Sequence, residues 1–400
     1  MNRPFKNKLL FIVKFFLRVK ISFRSPKKSD LIIFDNTSID LFEKTFLKKF
    51  QYFIFEDRYY LITKIYLSPK IIYNTIKYIQ YGLKRAYKIS LIRLINPKLV
   101  VTYIHNSENF SFFAKLFNNE INFLAIQNGN SYHKIKENNY RKISRNYYIP
   151  HLLKLGYFED ESFKNSDWKI KKSDYVGSLR FDSFLNQSKI KNEKLKKKYD
   201  LCILSDFGAW EIDEEDINNG FRDITKFAIR YAITNKLKFV IALKRGNPKN
   251  FKNVKNLPDY IEGSRDEQLW YKNNFSKEEL VYLKKNFVYN DSISSYMCAL
   301  QSEVTIGGIS TLLREITAYK KKFLACNFTS NTAYDFPVSG ICSLNYKCKY
   351  FEFSERLDHI LKLSDLSFFG SLKLKKDYLI KFDSQNSTSS QIENIIKKFI

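Results

Sequence analysis

Two stretches of the chain carry residues whose types and spacing suit the handling of an anion. Residues 303–327, EVTIGGISTLLREITAYKKKFLACN, read as strand, Gly-Gly turn, Ser-Thr cap, amphipathic helix and second strand. Glycines that admit close backbone approach, followed by the start of a helix, place N–H donors where phosphate oxygens could sit, so Gly307, Gly308, Ser310 and Thr311 are the candidate turn. Upstream, IALKRGNP puts Lys244 and Arg245 directly after an apolar run, where two cations would offset the negative charge developing on a diphosphate leaving group. Glu315, one turn into the helix, is placed to accept from ribose hydroxyls, and Ser205, Asp206 and Tyr289 end neighbouring apolar runs. Ser310 and Glu315 also have plain structural readings, as an N-cap and a first-turn acid; the joint placement is what suggests a site.

Placing these groups together requires parallel strands whose carboxyl ends share one edge. The second half of the chain supplies them as a βα series: strands over 201–204, 239–243, 286–289, 304–306 and 323–326, with helices over 222–234, 266–271, 293–300 and 311–318 between. The first half alternates in the same way, with strands over 31–34, 52–55, 99–104 and 123–127 and helices over 71–95 and 110–117. Alternation of this kind predicts an α/β fold of two Rossmann-like, doubly wound domains facing each other across a cleft. The Lys-rich run 189–198 is too polar for a core and marks the boundary. The expected organisation is a basic amphipathic segment over 1–29, a first domain over 30–185, a linker over 186–199, a second domain over 200–380 and a closing helix within 381–400.

From the first domain, the turn Gln127-Asn128-Gly129 with His133, and His105 at the end of the preceding strand, would line the opposite side of the cleft and meet an acceptor. Asp35, after the first strand, is the leading candidate for the base that takes the proton of an attacking hydroxyl; Glu56 and Asp57, after the second, are the others.

Composition narrows the partners. The chain has 68 Lys+Arg against 41 Asp+Glu, a formal charge of +27, which favours an anionic partner, although the abundance of Lys, Ile, Asn, Phe and Tyr makes part of this a compositional bias. Residues 1–30 hold nine Lys/Arg and one acid, interleaved with Phe5, Leu9, Phe11, Phe15 and Phe16. Such a helix could lie in the headgroup region of an anionic inner leaflet, giving a peripheral, cytoplasmic-face protein, or pack on the first domain with a solvated basic face. Leu9 to Val19 is broken by Lys14 and Arg18 and does not span a bilayer, and no small-residue cleavage site follows it. Five Cys without CxxC spacing indicate a reduced, cytoplasmic setting.

No GxxxxGK[ST], GxGxxG, HExxH or GxSxG occurs, and the four His are scattered, so P-loop hydrolysis, nicotinamide binding, a zinc site and a serine hydrolase are unsupported. No metal ligand set and no cofactor is expected. No basic recognition helix or aromatic RNA-binding strand stands out, so no specific nucleic acid is expected either.

Over residues 96 to about 363 the chain resembles bacterial surface-carbohydrate glycosyltransferases of GT-B architecture, a group also similar to capsule Kdo transferases and to the glycerophosphotransferases of teichoic acid synthesis. The resemblance rests on PKLVVTYIHNSENFSFFAKLF, AIQNG, VGSLRFD, LCILSDF, SSYMCALQSEVTIGGISTLLREITAYKKKFLACNF and FEFSERLDHILKLSD. It implies metal-independent, inverting transfer from a nucleotide-sugar donor to a glycan or lipid-linked acceptor. The nucleotide would be held by Gly308, Ser310, Thr311 and Glu315, its phosphates by Lys244 and Arg245. Where capsule enzymes tend to show His-Pro, this chain has Arg245-Gly246-Asn247-Pro248, which leaves the donor open. Non-hydrolysing UDP-GlcNAc 2-epimerases share the architecture, but their Asp-Ser-Gly-Gly turn is here Ile306-Gly307-Gly308-Ile309, which argues against epimerisation. A polyol-phosphate transferase and a non-catalytic binder of anionic surfaces are the alternatives.

Overall fold

The apolar runs of each half pair into a separate parallel sheet. A computed structural model describes residues 19–58, 62–130, 146–164, 166–188, 195–208, 214–247, 258–291 and 293–400. The first sheet contains β2 (Leu31–Phe34), β3 (Tyr52–Phe55), β5 (Leu99–Thr102), β6 (Asn122–Ile126), β7 (Tyr148–Lys154) and β8 (Lys169–Tyr175), in the order β3-β2-β5-β6-β7-β8. A separate pair joins β1 (Lys20–Ser22) to β4 (Lys64–Tyr66), also in parallel. The second sheet contains β9 (Tyr199–Leu204), β10 (Phe239–Ala242), β11 (Phe287–Val288), β12 (Ser302–Gly307), β13 (Lys322–Cys326) and β14 (Ser343–Leu344), in the order β11-β10-β9-β12-β13-β14. Within each sheet all strand pairs are parallel, so the carboxyl ends lie on one edge.

In each sheet the winding direction reverses beside the first strand, between β2 and β5 and between β9 and β12. Such reversals open a crevice at the carboxyl edge, and they fix where a ligand can sit. Central strands are fully buried, as in β5 and β10, because helices cover both faces. Phe34, Phe55, Phe110 and Phe113 fill one face of the first sheet, while Leu201, Ile203, Leu313 and Phe353 belong to the core of the second.

Several expectations change. The helix expected over 71–95 is two helices, Pro69–Lys77 and Leu83–Ile95, parted at Gly82, whose φ of 82° lies outside the helical range. The expected helix over the first thirty residues gives way at Lys20–Ser22 to a strand; residues 1–18 lie outside the described residues. The closing helix, Thr388–Lys397, packs Ile392 and Ile396 against Leu31, Ile33 and Leu153, so the chain ends in the core of the first sheet. Among the described residues no helix is long and apolar enough to cross a membrane.

Candidate functional site at the edge of the second sheet

The carboxyl edge of the second sheet gathers the chemistry expected of it. Ser205 and Asp206 follow β9, Lys244 and Arg245 follow β10, and Gly308 to Thr311 follow β12. Because β9 lies between β10 and β12, the cationic pair and the glycine turn flank Asp206 at a strand spacing of about 5 Å to either side.

Asp206, 5% exposed, accepts the backbone N–H of Gly308 on its Oδ2. Burial pushes its carboxyl up to about 6, against the lowering effect of the Gly308 and Ile309 N–H groups and the charge of Lys244. The donors expected to hold phosphate oxygens are thus engaged in part by this carboxylate, and that expectation is corrected. A Cβ on Gly308 would lie 3.1 Å from Asp206 Oδ2 and 3.1 Å from the Cys326 carbonyl, so the glycine is required for this close approach.

Glu267, in the helix Pro258–Asn274, organises the other half of the edge. Its Oε1 accepts from Lys244 N at 3.0 Å and from the Ser205 hydroxyl, and its Oε2 from Arg245 N at 2.9 Å. Burial raises its carboxyl above the usual range, opposed by these donors. One carboxylate therefore ties the ends of β9 and β10 together, and it leaves the half-buried Lys244 and Arg245 side chains at the rim. The Asn290 amide donates to Lys244 O at 3.1 Å, and the Tyr289 hydroxyl accepts from Gln268 Nε2 at 3.3 Å, so the end of β11 braces the same loop.

The remaining candidates divide. Ser310 caps its helix by accepting from Leu312 N at 3.3 Å and stays half-buried at the turn. Thr311 Oγ1 accepts from Asn130 N at 3.0 Å, and the Asn130 amide donates to Ile309 O at 3.1 Å. The turn 127–130 is consequently docked on the turn 308–311, and at this point the two halves touch rather than face one another across open space. Gly129 stands so close that a Cβ there would lie 3.1 Å from Thr311 Oγ1.

Glu315 is not offered to a ribose. It is 3% exposed, accepts from the Ser178 and Tyr296 hydroxyls, the latter at 2.8 Å, and burial raises its carboxyl. Gln127 is equally internal: its amide donates to Gly129 O at 2.9 Å and accepts from Leu155 N at 3.2 Å, which shapes the turn and leaves no face for an acceptor. His105 is buried, its ring 5.7 Å from that of Trp168. Asn128 is half-buried on the turn; His133 lies outside the described residues.

Asp35 sits at the reversal point of the first sheet with a φ of 78°, a conformation L residues rarely adopt. Its Oδ1 accepts from Thr37 N at 3.0 Å and its Oδ2 from Arg58 Nε at 2.8 Å. Asp57 is bound by the Lys88 ammonium and the Asn109 amide, and Glu56 accepts from Thr63 N and Oγ1 at 2.7 and 2.6 Å. All three candidate bases are held by partners, Asp35 by a side chain that is itself 37% exposed.

Sequence reasoning passed over two residues, Arg314 at the junction between the halves and Glu267 within the edge of the second sheet. Arg314, in the middle of the quoted TLLRE, is 1% exposed; it donates to Leu379 O at 2.7 and 3.1 Å and to Asn130 Oδ1 at 3.0 Å, and it pairs with the fully buried Glu159 at 2.6 Å. Its position between Leu313 and Glu315 on a short helix with a buried face was the only signal. Glu267, in the polar run RDEQLWYK, carried none.

No protein-family model matches the chain, and no curated protein matches it. Solved structures do. UDP-GlcNAc 2-epimerase from Methanocaldococcus jannaschii, in complex with UDP-GlcNAc and UDP, aligns over 92% of this chain and 99% of its own at a TM-score of 0.52 and 13% identity. The fold is GT-B. The glycotransferase of kitacinnamycin aligns over 93% of this chain and 99% of its own at a TM-score of 0.51 and 8% identity. At such identities the GT-B likeness is one of architecture: two Rossmann-like domains, as expected from the alternating strands and helices.

Proposed function

We propose that the chain is a nucleotide-sugar-dependent glycosyltransferase that moves a sugar, by a metal-independent and inverting route, onto a surface polysaccharide or lipid-linked glycan. The observation that carries the reading is the joining of Lys244, Arg245, Asp206 and Gly308 on the carboxyl edge of the second sheet, at the reversal between β9 and β12. The GT-B fold, shared with a protein solved with UDP-GlcNAc and UDP, supports a nucleoside diphosphate as the ligand of that edge.

In this reading the acceptor oxygen bonds to the anomeric carbon as the bond from that carbon to the diphosphate breaks, and the electron pair leaves with the diphosphate. Lys244 and Arg245 offset the charge that develops there, with the Ser310 hydroxyl, on the other side of Asp206, as a further donor. The proton of the acceptor hydroxyl passes to Asp35, whose strained backbone at the opposite reversal point singles it out among the three carboxylates; Arg58 must yield one oxygen as the acceptor enters.

The test is a thermal-shift screen of UDP, GDP, CMP and CDP ligands, CDP-glycerol included, followed by Arg245→Ala. A nucleoside diphosphate that binds only the folded chain raises its melting point, and Arg245→Ala lowers turnover far more than stability. Unchanged transfer in Arg245→Ala removes the assignment. A shift with CDP-glycerol and none with nucleotide sugars moves the reading to a polyol-phosphate transferase.

A further inference from the structure

A cavity of about 830 Å³ runs along β3 at the outer edge of the first sheet, walled by β4 and by the helices Pro69–Lys77 and Leu83–Ile95. That is the size of a small-molecule site, and its lining is predominantly apolar. The helix Pro69–Lys77 has two apolar stripes. Ile71, buried in the core, forms part of the cavity's inner wall, whereas Ile72 and Ile76, one turn apart, line its mouth and remain 48% and 66% exposed. Leu83 extends the same lip and is 69% exposed. Large aliphatic side chains gathered at the mouth of an apolar cavity are a surface that awaits a hydrocarbon partner.

The polar residues of the lining have a consistent sign. Lys64, Lys84 and Lys88 stand against one acid, Glu56, which is already bound by the Thr63 hydroxyl and N–H. Lys88, on the helix Leu83–Ile95, is buried and paired with Asp57, and the charge of Asp35 also reaches it. Asp57 follows β3 and Asp35 follows β2, both at the carboxyl edge that carries the proposed base. The cavity therefore runs from an apolar mouth, with the exposed Lys84 on its lip, to the Lys88–Asp57 pair at the carboxyl edge of β3.

We infer that this cavity holds the single alkyl or isoprenyl chain of a phosphate-bearing amphiphile, with Lys84 attending the anionic head and Asp35 beyond it. The inference rests on the transferase reading above and names its acceptor class: a sugar or glycan carried on a lipid phosphate rather than a free oligosaccharide.

The experiment uses the full chain and dodecyl phosphate, below its micelle concentration, titrated by calorimetry, with dodecyl maltoside as a neutral probe of the same chain length. Saturable binding of one equivalent of dodecyl phosphate is expected. Ile72→Glu with Ile76→Glu, both at exposed positions and so compatible with folding, lowers that affinity at least about tenfold. Lys84→Ala weakens dodecyl phosphate but leaves dodecyl maltoside unchanged. Absence of saturable binding, equal affinity in the double variant, or equal loss of both probes in Lys84→Ala overturns the inference. So does photo-crosslinking from a reporter at position 76 into residues 1–18, which would make the chain's own leading segment the occupant. Nucleotide-induced thermal shifts, measured on the same variants, depend on Lys244 and Arg245 and not on the cavity. Shifts that persist without amphiphile binding sink the acceptor class alone, and shifts that are absent sink the transferase reading.

Discussion

The Asp206 carboxylate accepts the backbone N–H of Gly308, and so links the first strand of the second sheet to the turn that follows its neighbour across the winding reversal. An internal carboxylate at this point does two things. It holds the glycine turn in place before any ligand arrives, and it puts a negative charge where an incoming diphosphate brings more.

The pH dependence of stability reports on that charge. Burial lifts the folded carboxyl of Asp206 to about 6, above its unfolded value, so between about pH 4 and pH 6 the folded state holds more protons than the unfolded one. Its contribution is present in full below about pH 4 and is lost as pH rises through 6, with a span of about 3 kcal/mol. Asp206→Asn keeps an acceptor oxygen for Gly308 and does not titrate. The variant gains stability relative to the parent as pH rises from 4 to 7, measured by urea unfolding at each pH. A constant difference across that range would show that Asp206 stays ionised throughout.

Glu267 is the residue that makes Lys244 and Arg245 a pair. Its carboxylate accepts two backbone N–H groups and a hydroxyl, and Glu267→Ala leaves all three buried or half-buried donors without it. The expected cost is about 3 kcal/mol in stability. Nucleoside diphosphate affinity should fall further than stability accounts for, because the loop that carries both cations loses its brace. Glu267→Gln, which retains one acceptor oxygen but turns an NH2 toward the remaining N–H donor, should recover only part of the stability. Calorimetric titration of the ligand on the folded fraction separates the two effects.

The buried ion pair of Arg314 and Glu159 couples the two halves of the chain. Breaking such a pair from one side strands a charge, so Arg314→Met should cost about 3–5 kcal/mol. Replacing both partners removes the stranded charge, and Arg314→Met with Glu159→Met should be less destabilised than the sum of the single variants by at least about 1.5 kcal/mol. The Leu379 and Asn130 contacts of the guanidinium are lost in both variants of the cycle that lack Arg314, so they cancel. Additive single and double variants would show that the pair is not coupled.

Much of the architecture was legible because parallel, doubly covered strands read as plain apolar runs. LIIF, LVVT and FVIA needed no context, and β9, β12 and β13 were placed to within two residues. The strand β8, KIKKSDY, was not legible: it is an edge strand, and the charges that protect an edge from further pairing also erase the apolar signal. Its neighbour β7, YIPHLLK, was passed over as well, its apolar run interrupted by Pro150 and His151. For the site, the location followed from topology alone, since every strand end of the second sheet falls on one edge. The engagement of individual groups did not follow. Thr311 is taken up by Asn130 and Glu315 by Ser178, partners brought in by a contact between the two halves that no local pattern encodes.

That contact depends on the way the chain returns at its end. Residues 377–381 cross back over the first domain before the helix Thr388–Lys397, and Gly177 lies directly beneath them with a φ of 90°. A Cβ at position 177 would lie 2.2 Å from the Lys381 carbonyl oxygen, which is backbone and cannot rotate aside, and 3.1 Å from Thr388 Oγ1, whose hydroxyl donates to Val176 O at 2.7 Å. Gly177→Ala therefore combines a left-handed backbone cost with a clash, and should destabilise by about 3 kcal/mol or more. Gly340→Ala is the matched control: its φ is 110°, but nothing lies within 4 Å of the added carbon, so only the backbone cost of about 1 kcal/mol is expected. Melting both variants, together with limited proteolysis of the final helix, distinguishes the two costs. If Gly177→Ala melts with Gly340→Ala and keeps its last helix protected, the return segment is able to lift without loss, and the junction between the halves does not depend on it.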